Sequence, residues 1–354
     1  MKIWKEITHE KYTVEIEEPT LYIDNRKRGR SGHMSHALTE FSPNCLIDFN
    51  SNCSQNRWNG HSPYGWIEYR ISRDSGKTFS EPTTLSYSWD CFLDGIHMIS
   101  VEKAVACKDG SIVAFCLRND ATSPSCCEPW STPTVIRSSD EGKTWSAPIE
   151  YSPYPGRSYD ALIHNDVIYV LHFCNEHFLG NLPEHKYRIY TSTDFGKTFS
   201  ELCTVPFDTY NRGYGSILFD ENNVLHAYAY NNTDEQEMDH AISEDFGKTW
   251  TLLKPCHLAK GIRNPQTALI DGIYILHGRA GDTKGFVMYS SENASDWDEG
   301  TLIVSKENVS AYYSNNVNLH DENGNFLLIQ YSDTYEGLTK VDVKHILLRI
   351  KHTK

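Results

Sequence analysis

Arginine, histidine, tyrosine and carboxylate side chains gather at six short stretches, each leading into an apolar run. The stretches are Gly32-His33-Met-Ser-His36, Asp94-Gly-Ile-His97, Arg157-Ser-Tyr159-Asp160, Tyr210-Asn-Arg212-Gly-Tyr214, Arg263-Asn264-Pro-Gln266 and Tyr312-Tyr313-Ser-Asn315-Asn316. Five of the six carry an Arg, a His or an acid. Polar loops add Arg57 and His61, Arg118 and Glu128, Asn175-Glu176-His177, Arg279, and Asp333. These residue types support three kinds of chemistry. Arginines such as Arg212, Arg263 and Arg279 can clamp a carboxylate by charge-assisted hydrogen bonds. Tyrosine or histidine can take or give a proton. A pair drawn from Glu102, Glu128, Asp160, Glu176 and Asp333 can serve as acid and base in glycosidic hydrolysis.

Each residue also has a structural reading. The histidines, His33, His36, His61 and His97, can be hydrogen-bonded rings that shape the fold. Tyr313 can pack on an inner strand. Arg57, Arg118, Arg157, Arg212 and Arg263 can be solvated or unit-bridging ion pairs, and Glu102 can pair locally with Lys103. If His33 and His36 share one strand, their spacing of three turns them to opposite faces, which speaks against a metal site. Trp58, Trp66, Trp89 and Trp130 lie in or near loops, suited either to stacking on sugar rings or to packing.

A repeat decides which elements position these groups. Four octapeptides share one pattern: Ser72-Arg-Asp74-Ser-Gly76-Lys-Thr78-Phe79, Ser138-Ser-Asp140-Glu-Gly142-Lys-Thr144-Trp145, Ser192-Thr-Asp194-Phe-Gly196-Lys-Thr198-Phe199 and Ser243-Glu-Asp245-Phe-Gly247-Lys-Thr249-Trp250. Ser290-Ser-Glu292-Asn-Ala294-Ser-Asp-Trp297 is a degenerate fifth. The glycine supplies a positive φ, the Asp accepts backbone N–H bonds within the turn, and the closing ring anchors it. One carboxylate per box is too few for calcium. Before each box come an alternating apolar stretch, a turn, a second stretch, a polar loop and a third stretch. The turns are Asp109-Gly110, Asn165-Asp166, Glu221-Asn222-Asn223, Asp271-Gly272 and Glu322-Asn323-Gly324. Short strands with frequent turns mean all-β, and four strands per unit of about 50 residues is the arithmetic of propeller blades.

The pattern S-x-D-x-G-x-T-[FW] resembles the Asp box of the sialidase superfamily, over a span from about Ser31 to Ile350. The resemblance implies a single-domain, six-bladed β-propeller over 1–354, with four-stranded antiparallel blades and Asp-box turns. Inner strands begin near His36, Lys103, Tyr159, Tyr214, Gln266 and Asn315, and residues 12–23 close the last blade. It also implies that the boxes face away from the site, so that the six polar stretches line its mouth. Tyr313 then matches the family's catalytic tyrosine, and Arg279 matches one clamp arginine. Elsewhere the chain departs from the family. His33-Met-Ser-His36 replaces the Arg-Ile-Pro start, Gly213 falls where the family has Glu, and Asn50-Ser51-Asn52 falls where it has Asp. No second clamp arginine occurs in 226–231. The expectation is a hydrolase for a small acidic sugar or oligosaccharide. Tyr313 would be nucleophile or base, with His36, Asp160 or Glu102 as acid/base. Arg279, Arg263, Arg212, Arg157, Arg57, His33, His61, His97, Tyr214 and Gln266 would bind substrate. The His/Tyr/Arg set also resembles that of polysaccharide lyases, and Asp-box propellers serve as non-catalytic binding scaffolds too.

Composition sets the outer limits. The 354 residues hold 33 Lys+Arg and 47 Asp+Glu, a net charge of −14. That argues against a nucleic-acid or anionic-membrane partner, and no apolar run approaches the ~20 residues of a membrane span. The charged Met1–Tyr12 lacks the apolar core of a secretory signal, so a natural start there would place the protein in the cytoplasm. Neither cofactor nor metal is expected. A two-residue hairpin at Asp109-Gly110 would set Cys107 against Ile112 and Cys116 against Lys103. Cys126-Cys127 has no CxxC partner. The ten cysteines therefore read as free thiols.

Overall fold

Each box folds into the same internally bonded turn. In the first, Ser72 Oγ donates to Asp74 Oδ1 at 2.8 Å and accepts from the Gly76 amide at 2.9 Å. Asp74 also accepts from the Thr78 amide at 2.8 Å and from the Thr78 hydroxyl at 2.6 Å. The other three boxes repeat this network around Asp140, Asp194 and Asp245. Two consecutive residues have positive φ, Ser75 at 57° and Gly76 at 80°. Glycine accommodates the second without cost, and the hydrogen bonds hold the first. The computed structural model describes residues 3–57, 63–122, 131–174, 185–305, 312–337 and 340–353.

Strands joined by these turns form six antiparallel blades. Their inner strands are Leu38–Ser42, His97–Ala106, Arg157–His164, Arg212–Phe219, Ile262–Ile270 and Ser314–Asp321. Inner strands of neighbouring blades touch all the way round, including the sixth against the first. In blade six the third strand, Lys340–His352, pairs with Tyr12–Glu17, and Ile3–Thr8 adds a further strand outside it. Start and end of the chain thus share one sheet, which removes an open edge. Apolar burial follows the seams. Six clusters of buried side chains lie one between each pair of adjacent blades, such as Ile47, Phe49 and Ile112 between blades one and two. Box rings join them: Trp145 of blade two packs on Phe49 and Tyr69 of blade one.

Two local expectations are corrected. The Asp109-Gly110 hairpin has a three-residue loop, with the Cys107 amide bonded to Ser111 O at 2.8 Å and Gly110 at φ 82°. The left-handed glycine closes such a loop, so Ala106, and not Cys107, faces Ile112. A bulge between Val101 and Lys103 then sets Cys116 against Val101. Cys107 and Cys116 remain apart, and the eight cysteines among the described residues are free thiols. Cys126 and Cys127 lie outside the described residues. A helix, Ser86–Asp94, also occupies the crossover from blade one to blade two, where only strands and loops are expected.

Candidate functional site

Four inner strands carry a bulge at the same level, just inside their entrances. The register shifts between Val101 and Lys103, Ser158 and Asp160, Gly213 and Gly215, and Arg263 and Gln266. The residues left out of the ladder are Glu102, Tyr159, Tyr214 and Asn264 with Pro265. A bulge redirects a side chain that regular alternation would turn elsewhere. Glu102, Tyr159, Tyr214 and Asn264 all line one basin at the centre of the ring. Blade one adds Met34, Ser35 and His36, and blade six adds Tyr313, Ser314 and Asn315. Every blade contributes.

Backbone strain marks the same level. Ser35 (φ 65°), Asn211 (54°), Asn264 (51°) and Tyr312 (79°) are left-handed non-glycine residues at four of the six entrances. Tyr312 is fully buried, and its amide and that of Tyr313 both bond Ser332 Oγ at 3.0 Å. A bulky residue held at such a φ needs surroundings that fix it, an arrangement concentrated at functional sites. The left-handed Ser35 also separates His33 from His36 ahead of the first strand. The opposite-face argument for this pair therefore fails, and both rings are buried in the centre.

The basin is organised around an ion pair and two phenols. Arg157, 4% exposed, bonds Glu102 through Nη2 at 2.5 Å and Nε at 3.1 Å. Its guanidinium lies 5.4 Å from the ring centres of Tyr159 and Tyr214, and 6.0 Å from that of Tyr313. The Tyr214 and Tyr313 hydroxyls are 3.3 Å apart. The His33 ring meets Tyr313 edge-on at 5.4 Å. Burial drives the His36 imidazole down to about 3, so this ring is neutral at physiological pH. Both amide atoms of Asn264, with Gln266 Oε1 and Asn315 Oδ1, are buried without a hydrogen-bond partner among the described residues. Such atoms cost free energy unless something polar meets them. The cavity they edge measures only ≈ 40 Å³, room for two or three waters.

The expected residues divide sharply. Tyr313, Tyr214, Gln266, His36, Glu102 and Arg157 line the basin, and His33 packs against it. Asp160 does not line it. The bulge turns this carboxylate down the channel to Lys103 Nζ at 2.9 Å, Ser216 Oγ at 2.6 Å and the Ile217 amide at 2.9 Å. The expected local pair of Glu102 with Lys103 is therefore replaced by two pairs to blade three, Glu102–Arg157 and Lys103–Asp160. The three arginines expected to clamp a carboxylate also stand outside the lining. Arg212 bonds Asp239 at 2.5 Å, and Arg263 pairs with Glu235. Arg279 is buried opposite Arg263 on the second strand of blade five. His97 lies at the start of its strand, outside the lining, its pKa lowered by burial. His61 and the Arg57 side chain lie outside the described residues, as do Glu128, Glu176, His177, Trp58 and Trp130. Trp66 and Trp89 pack on each other at 4.9 Å.

Sequence reasoning assigned no role to Tyr159, Asn264 or Asn315. A signal existed for the first: Arg157-x-Tyr159 and Arg212-x-Tyr214 repeat the same offset in successive units. The amides carry no such mark, because their exposure to the basin depends on a bulge.

Residues 189–202 match the family model for the BNR-Asp box repeat. No curated protein sequence matches the chain. Among solved structures, a protein of unknown function from Dyadobacter fermentans superposes with a TM-score of 0.74 at 17% identity, covering 96% of this chain and 99% of that one. A Hadza microbial sialidase gives 0.64 at 16%, covering 93% and 68%. The phage phi92 endosialidase gives 0.65 at 9%, covering 96% and 70%. The fold is that of a sialidase-like, Asp-box, six-bladed β-propeller.

Proposed function

We propose that this protein is a glycoside hydrolase acting on a small glycan, with Tyr313 as the group that attacks the anomeric carbon. One observation carries the reading. The Tyr313 hydroxyl stands 3.3 Å from that of Tyr214, with the Arg157 guanidinium near both rings, inside a basin edged by unpartnered amides. A phenol is a poor nucleophile until it gains phenoxide character, and a neighbouring cation with a donating hydroxyl stabilises that charge. As the Tyr313 oxygen bonds the anomeric carbon and the glycosidic C–O bond breaks, the phenolic proton would pass to an acceptor in the lining, which would return it to the departing glycosidic oxygen. Water would then release the sugar from the tyrosine. His36 and Glu102 are the proton-transfer candidates in the lining. Asn264, Gln266 and Asn315 would meet sugar hydroxyls, and Arg157 would face a carboxylate on an acidic ring.

The test is a panel of sialyl, uronyl and neutral glycosides, with product mass separating hydrolysis from elimination. Turnover with a water-added product is expected, and Tyr313→Phe should abolish it while leaving the melting temperature unchanged. Activity surviving in Tyr313→Phe removes this tyrosine from the mechanism. Unsaturated products would instead assign lyase chemistry to the basin. Glu102 balances Arg157, which favours a second reading in which the basin holds a neutral sugar. A saturable rise in melting temperature with neutral monosaccharides, without turnover of any glycoside, would support it.

A further inference from the structure

The space available does not match the proposed chemistry unless the glycan extends sideways. The basin itself measures ≈ 40 Å³, whereas a groove beside it, between blades four and five, measures ≈ 570 Å³. Only the second falls in the range of small-molecule sites, about 300–1,000 Å³. The two adjoin through one strand entrance: Arg263 lines the groove and its neighbour Asn264 lines the basin. Tyr230, whose hydroxyl bonds groove residues, packs 6.0 Å from Tyr214.

The groove is a built surface. Glu235 lines it and accepts from the Tyr230 hydroxyl at 2.9 Å, from Arg263 Nε and from the Asp282 amide at 2.6 Å. The crossover into blade five is bonded to both neighbouring loops, with the Ile262 amide on Glu235 O at 2.9 Å and the Gly281 amide on Lys260 O at 3.0 Å. A Cβ on Gly281 would meet Lys260 O at 3.0 Å and Glu235 Oε2 at 3.1 Å. Glycine at this position lets the walls close to contact. The charges are balanced. Asp234, Glu235 and Asp282 face Lys260, Arg263 and Lys284, and two of the cations are paired within the set: Arg263 with Glu235, and Lys284 with Asp282 at 3.1 Å. Amides, a hydroxyl and neutralised ions, with Ala259, Ala280 and Leu302 as the apolar part of the wall, suit a ring that carries hydroxyl groups on its edge, an apolar face and no charge.

We propose that the groove between blades four and five is a second sugar site, taking a neutral hexose or N-acetylhexosamine linked to the ring whose edge enters the basin. The linkage rests on the hydrolase reading above, but groove binding can be measured without it. Methyl glycosides of galactose, glucose and N-acetylglucosamine would be titrated calorimetrically into the full-length Tyr313→Phe protein. At least one should bind saturably in the millimolar range. Thr233→Trp, which fills the groove from an exposed wall position, should weaken that binding at least tenfold. Glu235→Gln, which keeps the shape and strips the charge of this acceptor, should weaken it severalfold and serves if Thr233→Trp fails to fold. Absence of binding by all three glycosides, or binding indifferent to both substitutions, overturns the proposal. Groove-sensitive binding in a protein that turns over no glycoside would sink the hydrolase reading and leave the sugar site standing. Turnover without groove binding would do the reverse.

Discussion

The two ends of the propeller spend their polar groups in opposite ways. At the Asp-box end, each carboxylate is met by a serine hydroxyl, a threonine hydroxyl and backbone N–H from its own octapeptide, and Asp140, Asp194 and Asp245 are held down at about 2 by those bonds. Asp194 reaches that value against the opposing effect of burial. At the entrance end, bulges push polar side chains into the centre, where several amide atoms find no partner within the described residues. A turn that satisfies itself serves the fold, while a surface that holds polar atoms ready serves a ligand.

Acid sharpens this contrast most. Burial lowers the imidazoles of His36, His172, His277 and His345 to about 3, and His240 likewise with help from His226. Their neutral forms fit the interior, so this stability is complete above the ordinary 6.5 and is lost as pH falls towards 3. At pH 5 the loss is on the order of 2 kcal/mol for each ring. Asp48 acts in the opposite direction. Burial raises its carboxyl to about 6, a liability above that pH that is relieved below it. The boxes, with depressed carboxyl groups, lose stability only between about pH 4 and 2. The melting temperature should therefore fall steeply between pH 6.5 and 5. A flat profile to pH 4, followed by collapse, would show that the boxes and not the interior rings govern acid stability.

The same contrast explains what was legible in the sequence. A box is local: eight residues contain the donor, the acceptor, the left-handed glycine and the anchoring ring, so composition alone reveals it. Turns such as Asn165-Asp166 and Asp271-Gly272 are equally local, and both fall at the expected positions with positive φ. The basin is not local. Whether Glu102 points at Lys103 or at Arg157, 55 residues away, depends on a bulge that no residue type announces. Arg212 and Arg263 look available as carboxylate ligands until their partners, Asp239 and Glu235, arrive from another strand or loop. Tyr313 was singled out because its entrance stretch resembles a known one; Tyr214, Gln266, His36, Glu102 and Arg157 of the same lining were named with it, whereas Tyr159, Asn264 and Asn315 were not.

Glu102→Gln tests the entrance end directly. It preserves the shape of the bulge but removes the Glu102 carboxylate from the buried Arg157 guanidinium. Breaking a buried pair from one side costs about 3–5 kcal/mol, so chemical denaturation should show a loss of that order, together with loss of turnover. A neutral outcome would mean that Arg157 finds another partner and that the basin is less fixed than its geometry indicates.

Asp194→Ala tests the other end and should have the smallest effect. It removes the acceptor for the Ser192 hydroxyl and for the Thr198 amide and hydroxyl, in a turn that is largely exposed. Water can replace some of those bonds, so the net loss should be near 1 kcal/mol, read as a modest drop in melting temperature. Sugar binding and turnover should not change, because the box touches the basin only through the rigidity of blade three. If Asp194→Ala reduced turnover as much as it reduced stability, the two ends would be mechanically coupled. The boxes would then help to aim Arg157 and Tyr159, which the inner strand of the same blade carries.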